Sequence, residues 1–104
     1  MASVSLRAQQ KENAIAVSLL FDHPMESGRR TDAQGIVIPP WYITTVAILL
    51  DDEPVESFEL GSLVTKNPVL GLELDNNAQG KKLKVLWQDN RGEQGQRTLT
   101  LDKL

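Results

Sequence analysis

The stretch Ala14-Ile15-Ala16-Val17-Ser18-Leu19-Leu20-Phe21 decides the fold. Ile15, Val17, Leu19 and Phe21 take every second position, with Ala14, Ala16, Ser18 and Leu20 between them. A period of two puts one set of side chains on each face of an extended chain, whereas a helix would group positions three and four apart. The segment reads as a half-buried strand. The same pattern recurs outward from it. Val46, Ile48 and Leu50 alternate with Thr45, Ala47 and Leu49; Leu70, Leu72 and Leu74 with Gly71 and Glu73; Leu83, Val85 and Trp87 with Lys84, Leu86 and Gln88; Leu99 and Leu101 with Thr98 and Thr100. Val4 and Leu6 make a shorter first strand, and Phe58 and Leu60 mark a weaker one over residues 55–60.

The breaks between these runs carry turn chemistry. Asp51-Asp52-Glu53-Pro54, Asp75-Asn76-Asn77-Ala78-Gln79-Gly80 and Asp89-Asn90-Arg91-Gly92 supply residues that tolerate left-handed backbone or reverse the chain. Pro68, after Lys66-Asn67, belongs at the start of a strand. Residues 7–16 are rich in Gln, Lys, Glu and Ala, but alternation resumes at once, so a turn is placed near residues 10–12. Seven strands with turns at this spacing argue an all-β, antiparallel sandwich of immunoglobulin type, formed as one domain over residues 1–104. Trp87 shares its face with Leu83 and Val85 and is assigned to the core.

Composition narrows the function. The chain has 104 residues, a net charge of −3, one His and no Cys. Thiolate metal sites, disulfides and nucleophilic thiols are excluded. An acidic balance argues against nucleic acid and anionic membranes as partners. The start, Met1-Ala2-Ser3-Val4-Ser5-Leu6-Arg7, lacks a basic region followed by an apolar core, so no signal peptide of its own is expected. No apolar run approaches the ~20 residues of a membrane span.

Residues 22–42 interrupt the strand series and hold the single His, the single Tyr, one of two Trp and three of five Pro. Long connections of this kind are often functional. No Gly-x-Ser-x-Gly elbow accompanies Ser27 and His23, so nucleophilic catalysis is not expected. Asp22, His23 and Glu26 are adjacent acids and a His in a loop, too unspecific to assign a metal. Arg29, Arg30, Trp41 and Tyr42 fit a protein contact better than a stacking surface for bases. The faces of the strands say more. If the third and sixth strands are sheet neighbours, Ile43, Ala47, Leu49 and Leu86 share one outward apolar face. Such a face marks an interaction site, unless its aliphatics are scattered surface residues or the long connection covers them.

Several blocks in order resemble one family. His23-Pro24-Met25-Glu26-Ser27-Gly28-Arg29-Arg30, Asp32-Ala33-Gln34-Gly35, Ile38-Pro39, Lys66-Asn67-Pro68 and Trp87-Gln88-Asp89-Asn90-Arg91-Gly92-Glu93 are similar to the SoxZ family, the Z subunits of the thiosulfate-oxidising Sox carrier complex. The His-Pro-Met-Glu block is the specific part, and the resemblance runs from the second strand to the C-terminus. The chain departs from the family at Pro40-Trp41-Tyr42, where members often read Ala-His-Phe. It also departs at Val69-Leu70-Gly71, and in residues 58–64, which lack the usual Trp-Gly-Pro.

The resemblance implies an immunoglobulin-like sandwich with no catalytic activity and no cofactor. Its partner would be a SoxY-like protein whose mobile C-terminal Gly-Gly-Cys-Gly-Gly arm carries sulfur intermediates, with other Sox enzymes acting on that arm. It also implies a periplasmic location, reached by export with the signal-bearing partner. Partner contacts are expected from the Ile43, Ala47, Leu49 and Leu86 face, and from His23, Met25 and Arg30 in the long connection. Met25 would be an adaptable apolar contact, and Arg30 a fork for an anion or carboxylate. The other readings are a stand-alone immunoglobulin-like binding or adhesion module and a metal-dependent redox sandwich. One His and no Cys speak against the second.

Overall fold

The computed structural model describes residues 3–102, so Met1, Ala2, Lys103 and Leu104 of the expected domain lie outside the described residues. Seven strands form, at β1 (Ser3–Gln10), β2 (Ala14–Asp22), β3 (Ile43–Leu50), β4 (Glu53–Glu59), β5 (Val69–Asp75), β6 (Lys82–Asp89) and β7 (Gln94–Thr100). They build two antiparallel sheets in the orders β1-β2-β5 and β4-β3-β6-β7. The expected immunoglobulin-like sandwich is what forms, with β3 and β6 side by side.

The core is the inward half of each alternation. Ile15, Val17, Leu19 and Phe21 of β2 face Val46 and Ile48 of β3 and Leu83, Val85 and Trp87 of β6, all buried. Burying each such side chain contributes about 1.5–3 kcal/mol, which is why period two alone can specify the two sheets. Gly95 sits opposite Trp87 in the β6–β7 register, and the indole occupies the space where a Cβ would stand. The β3–β4 turn is a tight two-residue reversal through Asp51 (φ 49°) and Asp52 (φ 68°). Two positive φ values match the twist of a hairpin, and Asp tolerates them better than most residues.

Residues 22–42 differ from the expected irregular loop. They fold back on themselves as a narrow hairpin, the arm. Glu26 and Trp41 exchange backbone hydrogen bonds of 2.7 and 2.9 Å. Farther out, Ile38 N–H donates to Arg30 O (2.8 Å) and Asp32 N–H to Ile36 O (2.9 Å). The tip is closed by Asp32, whose Oδ1 accepts from the N–H groups of Gln34 and Ile36, and by Gly35 at φ 81°. Strands of eight or nine residues span only ~30 Å, so the long dimension of the molecule, 53 Å against 24 and 19 Å, requires the arm to project from the end of the sandwich.

Candidate partner interface

Two regions answer to the expected site. The first is the outer face of the four-stranded sheet. Ala47 and Leu86 are direct cross-strand neighbours, and the same row continues to Ser57 on β4 and Gln96 on β7. The rows on either side are Glu59, Thr45, Gln88 and Gln94 on one, and Pro54, Leu49, Lys84 and Thr98 on the other. The central row is therefore uncharged, with Lys84 and Glu59 in the rows beside it, and Leu86 is 36% exposed at its middle. A depression of about 270 Å³ lies here, lined by Thr45, Ala47, Leu86, Gln88 and Gln94. Ala47, Leu49 and Leu86 thus share the face as expected.

Ile43 does not share it. The β3–β6 register slips between Ile43 and Thr45, because Ile43 pairs with Asp89 and Thr45 with Gln88. Thr44 is the extra residue; its hydroxyl donates to Gln88 O (3.0 Å) and its carbonyl accepts from Leu60 N–H. One inserted residue reverses which side the preceding side chain takes. Ile43 is fully buried in the core, and counting by twos across the bulge is what misplaced it.

The second region is the base of the arm, where His23 and Met25 were expected to meet a partner. Both are inside. His23 is 0% and Met25 5% exposed. His23 Nδ1 accepts from Met25 N–H (3.0 Å), so the neutral ring carries its proton on Nε2, a buried atom with no protein partner among the described residues. Burial pushes the imidazole pKa below its ordinary value, against the pull of the Asp89, Glu93 and Asp22 carboxylates. Arg91 pushes it the same way as burial. Met25 holds a positive φ (48°), and its sulfur accepts from Ile43 N–H (3.4 Å). These two side chains fasten the arm to the core. Asn67, itself at φ 53°, completes the fastening: its N–H donates to His23 O and its Oδ1 accepts from His23 N–H.

Trp41 covers this base. Its ring lies 4.9 Å from that of His23, tilted by 60°, and the Arg91 guanidinium sits 4.6 Å from the ring on which it stacks. Trp41 Nε1–H donates to Asp89 Oδ2 (2.8 Å), while Asp89 Oδ1 accepts from the N–H groups of Arg91 and Glu93 (both 2.9 Å). Burial works against this carboxylate, but the hydrogen bonds outweigh it and hold the Asp89 pKa below its ordinary value. Asn90 ties the same turn to the arm by accepting from Tyr42 N–H (2.7 Å) and donating to Pro40 O (3.0 Å). The atypical Pro40-Trp41-Tyr42 end is thereby locked to the β6–β7 turn, and none of these bonds reaches the outer sheet face.

Asp89 was the residue the sequence reading passed over. Its signal was present: after Leu83, Val85 and Trp87, the next inward position of β6 is a carboxylate. A buried acid requires donors aimed at it, and the turn Asn90-Arg91-Gly92 supplies backbone ones.

Arg30 remains exposed, but it is occupied. It forks onto Glu26, with Nη2 2.6 Å from Oε1 and Nε 3.2 Å from Oε2. That bond lowers the Glu26 pKa and raises that of Arg30. The pair rims a cleft of about 410 Å³ together with Met25, Ser27, Thr65 and Lys66. Asp22, His23 and Glu26 do not converge: Asp22 is exposed, His23 is buried and Glu26 turns to Arg30. Among the described residues no three His, Cys, Asp or Glu side chains are grouped to hold a metal.

An immunoglobulin-type sandwich with a locked hairpin arm and an open sheet face defines the class of this protein. Within that class, the chain belongs to the SoxZ family: the family described as sulphur oxidation protein SoxZ matches residues 4–100, nearly the whole chain. The family gives the protein a role in sulfur oxidation, as a member of a Sox complex. No curated protein matches the chain.

Proposed function

We propose that the protein is the non-catalytic subunit of a sulfur-carrier heterodimer. Its partner is a SoxY-like chain that carries sulfur intermediates covalently on a C-terminal cysteine arm. The chain has no cysteine of its own, so a thiol-borne intermediate must sit elsewhere in the complex. The observation that carries the reading is the outer face around Ala47 and Leu86, where the row Ser57, Ala47, Leu86 and Gln96 is uncharged and indented. Interface cores are depleted of charge in this way. The protein's part is to scaffold: a rigid sheet is offered to the partner, and the arm, fixed by His23, Met25 and Trp41, extends beside it. His23 and Met25 act from inside by holding the arm, and Arg30 acts paired with Glu26. The pair works in the periplasm, exported with the signal-bearing partner.

Co-expression with the protein encoded beside this chain, followed by native mass spectrometry, tests the reading. A 1:1 complex with a neighbour ending in Gly-Gly-Cys-Gly-Gly is expected. Absence of that complex favours the stand-alone binding module. Leu86→Asp, at a position 36% exposed in a central strand, should cost about 1–2 kcal/mol of stability, leaving the fold intact, while abolishing pairing. Unchanged pairing removes the sheet face from the interface.

A further inference from the structure

The sandwich has two sides where sheet edges meet solvent, and they are built differently. On one side lie β4 and β5, with sequences EPVESFE and VLGLELD. They carry five acids and no base, and β4 adds Pro54 and a register slip opposite β3. Charges, proline and bulges are how edges are kept from pairing with other chains. On the other side β1 and β7 run close together, one from each sheet, without pairing. Their sequences, SVSLRAQQ and QGQRTLT, hold no proline and no acid, and their only charges are Arg7 and Arg97.

The β7 edge is also open in its hydrogen bonding. Asp89 N–H donates to Glu93 O and Leu101 N–H to Lys81 O, both in the β6–β7 register. Antiparallel pairing alternates, so residues 95, 97 and 99 bond to β6. The N–H and C=O groups of Gln94, Gln96, Thr98 and Thr100 turn outward, where no strand of the described residues pairs. Shallow depressions flank Gly95 on both faces of β7. One, of about 250 Å³, is lined by Leu86, Gln94 and Gln96; the other, of about 160 Å³, by Ser3, Val4, Trp87 and Arg97.

We infer that β7 is a strand-addition edge that takes an extended segment of a partner protein bearing an acidic residue opposite Arg97. Main-chain bonds to the outward groups hold the segment, and its alternate side chains enter the depressions on either face. Arg97 has no ion-pair partner among the described residues, so it is free to choose the sign of the segment. Arg97 is also the middle residue of β7, so a centred antiparallel pairing with a second copy would set Arg97 against Arg97. Like charges directly opposed are destabilising, and the edge therefore selects a different, acidic chain. The main-chain edge does not depend on docking at the outer face, although the depression lined by Leu86, Gln94 and Gln96 borders that face.

The test uses cyclic β-hairpin peptides of Thr and Val whose outer strand has Glu at its centre, Lys at its centre, or Glu with methylated backbone nitrogens. The ¹⁵N-labelled full chain reports the contact. The Glu peptide should shift the amides of Gln94, Gln96, Thr98 and Thr100 and slow their hydrogen exchange. It should bind roughly three- to ten-fold tighter than the Lys peptide, from one attractive pair exchanged for a repulsive one. Arg97→Glu should reverse that order. Thr98→Pro removes one outward N–H without breaking a bond to β6, and should abolish binding with the fold retained. Unmoved edge amides at millimolar peptide, equal binding of the methylated peptide, or an unchanged preference in Arg97→Glu would each overturn the inference. No carrier protein is present in this assay, so failure here leaves the heterodimer reading standing.

Discussion

Asp89→Asn is the most telling substitution at the base of the arm. Asp89 is 2% exposed and accepts from Trp41, Arg91 and Glu93 at 2.8 to 2.9 Å. An asparagine oxygen can keep the two backbone bonds. Its amide nitrogen then faces Trp41 Nε1–H, donor against donor. Hydrogen bonds to charged groups contribute about 1.5–3 kcal/mol, and a buried donor left unpaired costs about 1–3 kcal/mol. Trp41 is only half-buried, so its N–H can partly reach water. A loss of about 2–4 kcal/mol follows, against a total of about 5–15 kcal/mol for such a domain. That corresponds to a fall in melting temperature of about 10–25 °C. Urea unfolding at pH 7, followed by circular dichroism, measures it. Trp41→Phe removes the donor together with part of the ring that packs on His23 and Arg91, so the double variant should still lose less than the two singles together, with a coupling of about 1–2 kcal/mol from the shared hydrogen bond. A single-variant loss under about 0.5 kcal/mol, or strict additivity, would refute the account of Asp89 as the carboxylate that locks the arm.

The chain's single His makes the pH dependence clean. His23 has a folded pKa below its ordinary value of 6.5, so as pH falls below 6.5 the unfolded chain takes up a proton that the fold resists. Stability should be flat above that value and decline beneath it, and the decline between about pH 6.5 and 5 should vanish in His23→Phe, read by urea midpoints. Asp89 has the opposite reference: its pKa is lowered, so its contribution is complete above the unfolded carboxylate value of about 3.9 and fades as pH falls further. Acid unfolding of Asp89→Asn should therefore lose its steepest part. Gly95→Ala puts a methyl where the Trp87 indole lies and should cost about 1–3 kcal/mol, with a shift in indole emission.

The strands were legible because each buries one face, and burial writes itself as alternation. Leu83, Val85 and Trp87 announce their sheet without help from the rest of the chain. The arm was not legible for the complementary reason. Residues 31–37 are exposed on both faces, so their pairing leaves no apolar period, and only the Asp32-to-Gly35 turn hints at a hairpin. His23 and Met25 were placed at a surface because polar and flexible side chains in a loop read as contacts. Their burial depends on partners distant in sequence: Asn67, Trp41 and the Asp89 turn. Leu86 and Ala47 share the face expected of them because they lie inside one unbroken register.

Thr44 explains why the arm and the sheet face can serve different ends. Without the bulge, Ile43 would fall on the same side as Thr45 and Ala47, and the arm would enter the sheet with an exposed isoleucine and no anchor. With it, Ile43 turns into the core, its N–H meets the Met25 sulfur, and Tyr42 and Trp41 are left beside Asn90 and Asp89. One bulge lies near each end of this stretch, Thr44 in β3 and Val55 in β4, which slips past Ile48 and Leu49. Between them Thr45, Ala47 and their neighbours keep strict register, so this face is an unbroken ladder. Outside them the chain is free to twist into an arm at one end and a tight acidic turn at the other. A regular sheet surface and a projecting element thus adjoin on one strand because a single extra residue, not a long insertion, separates them.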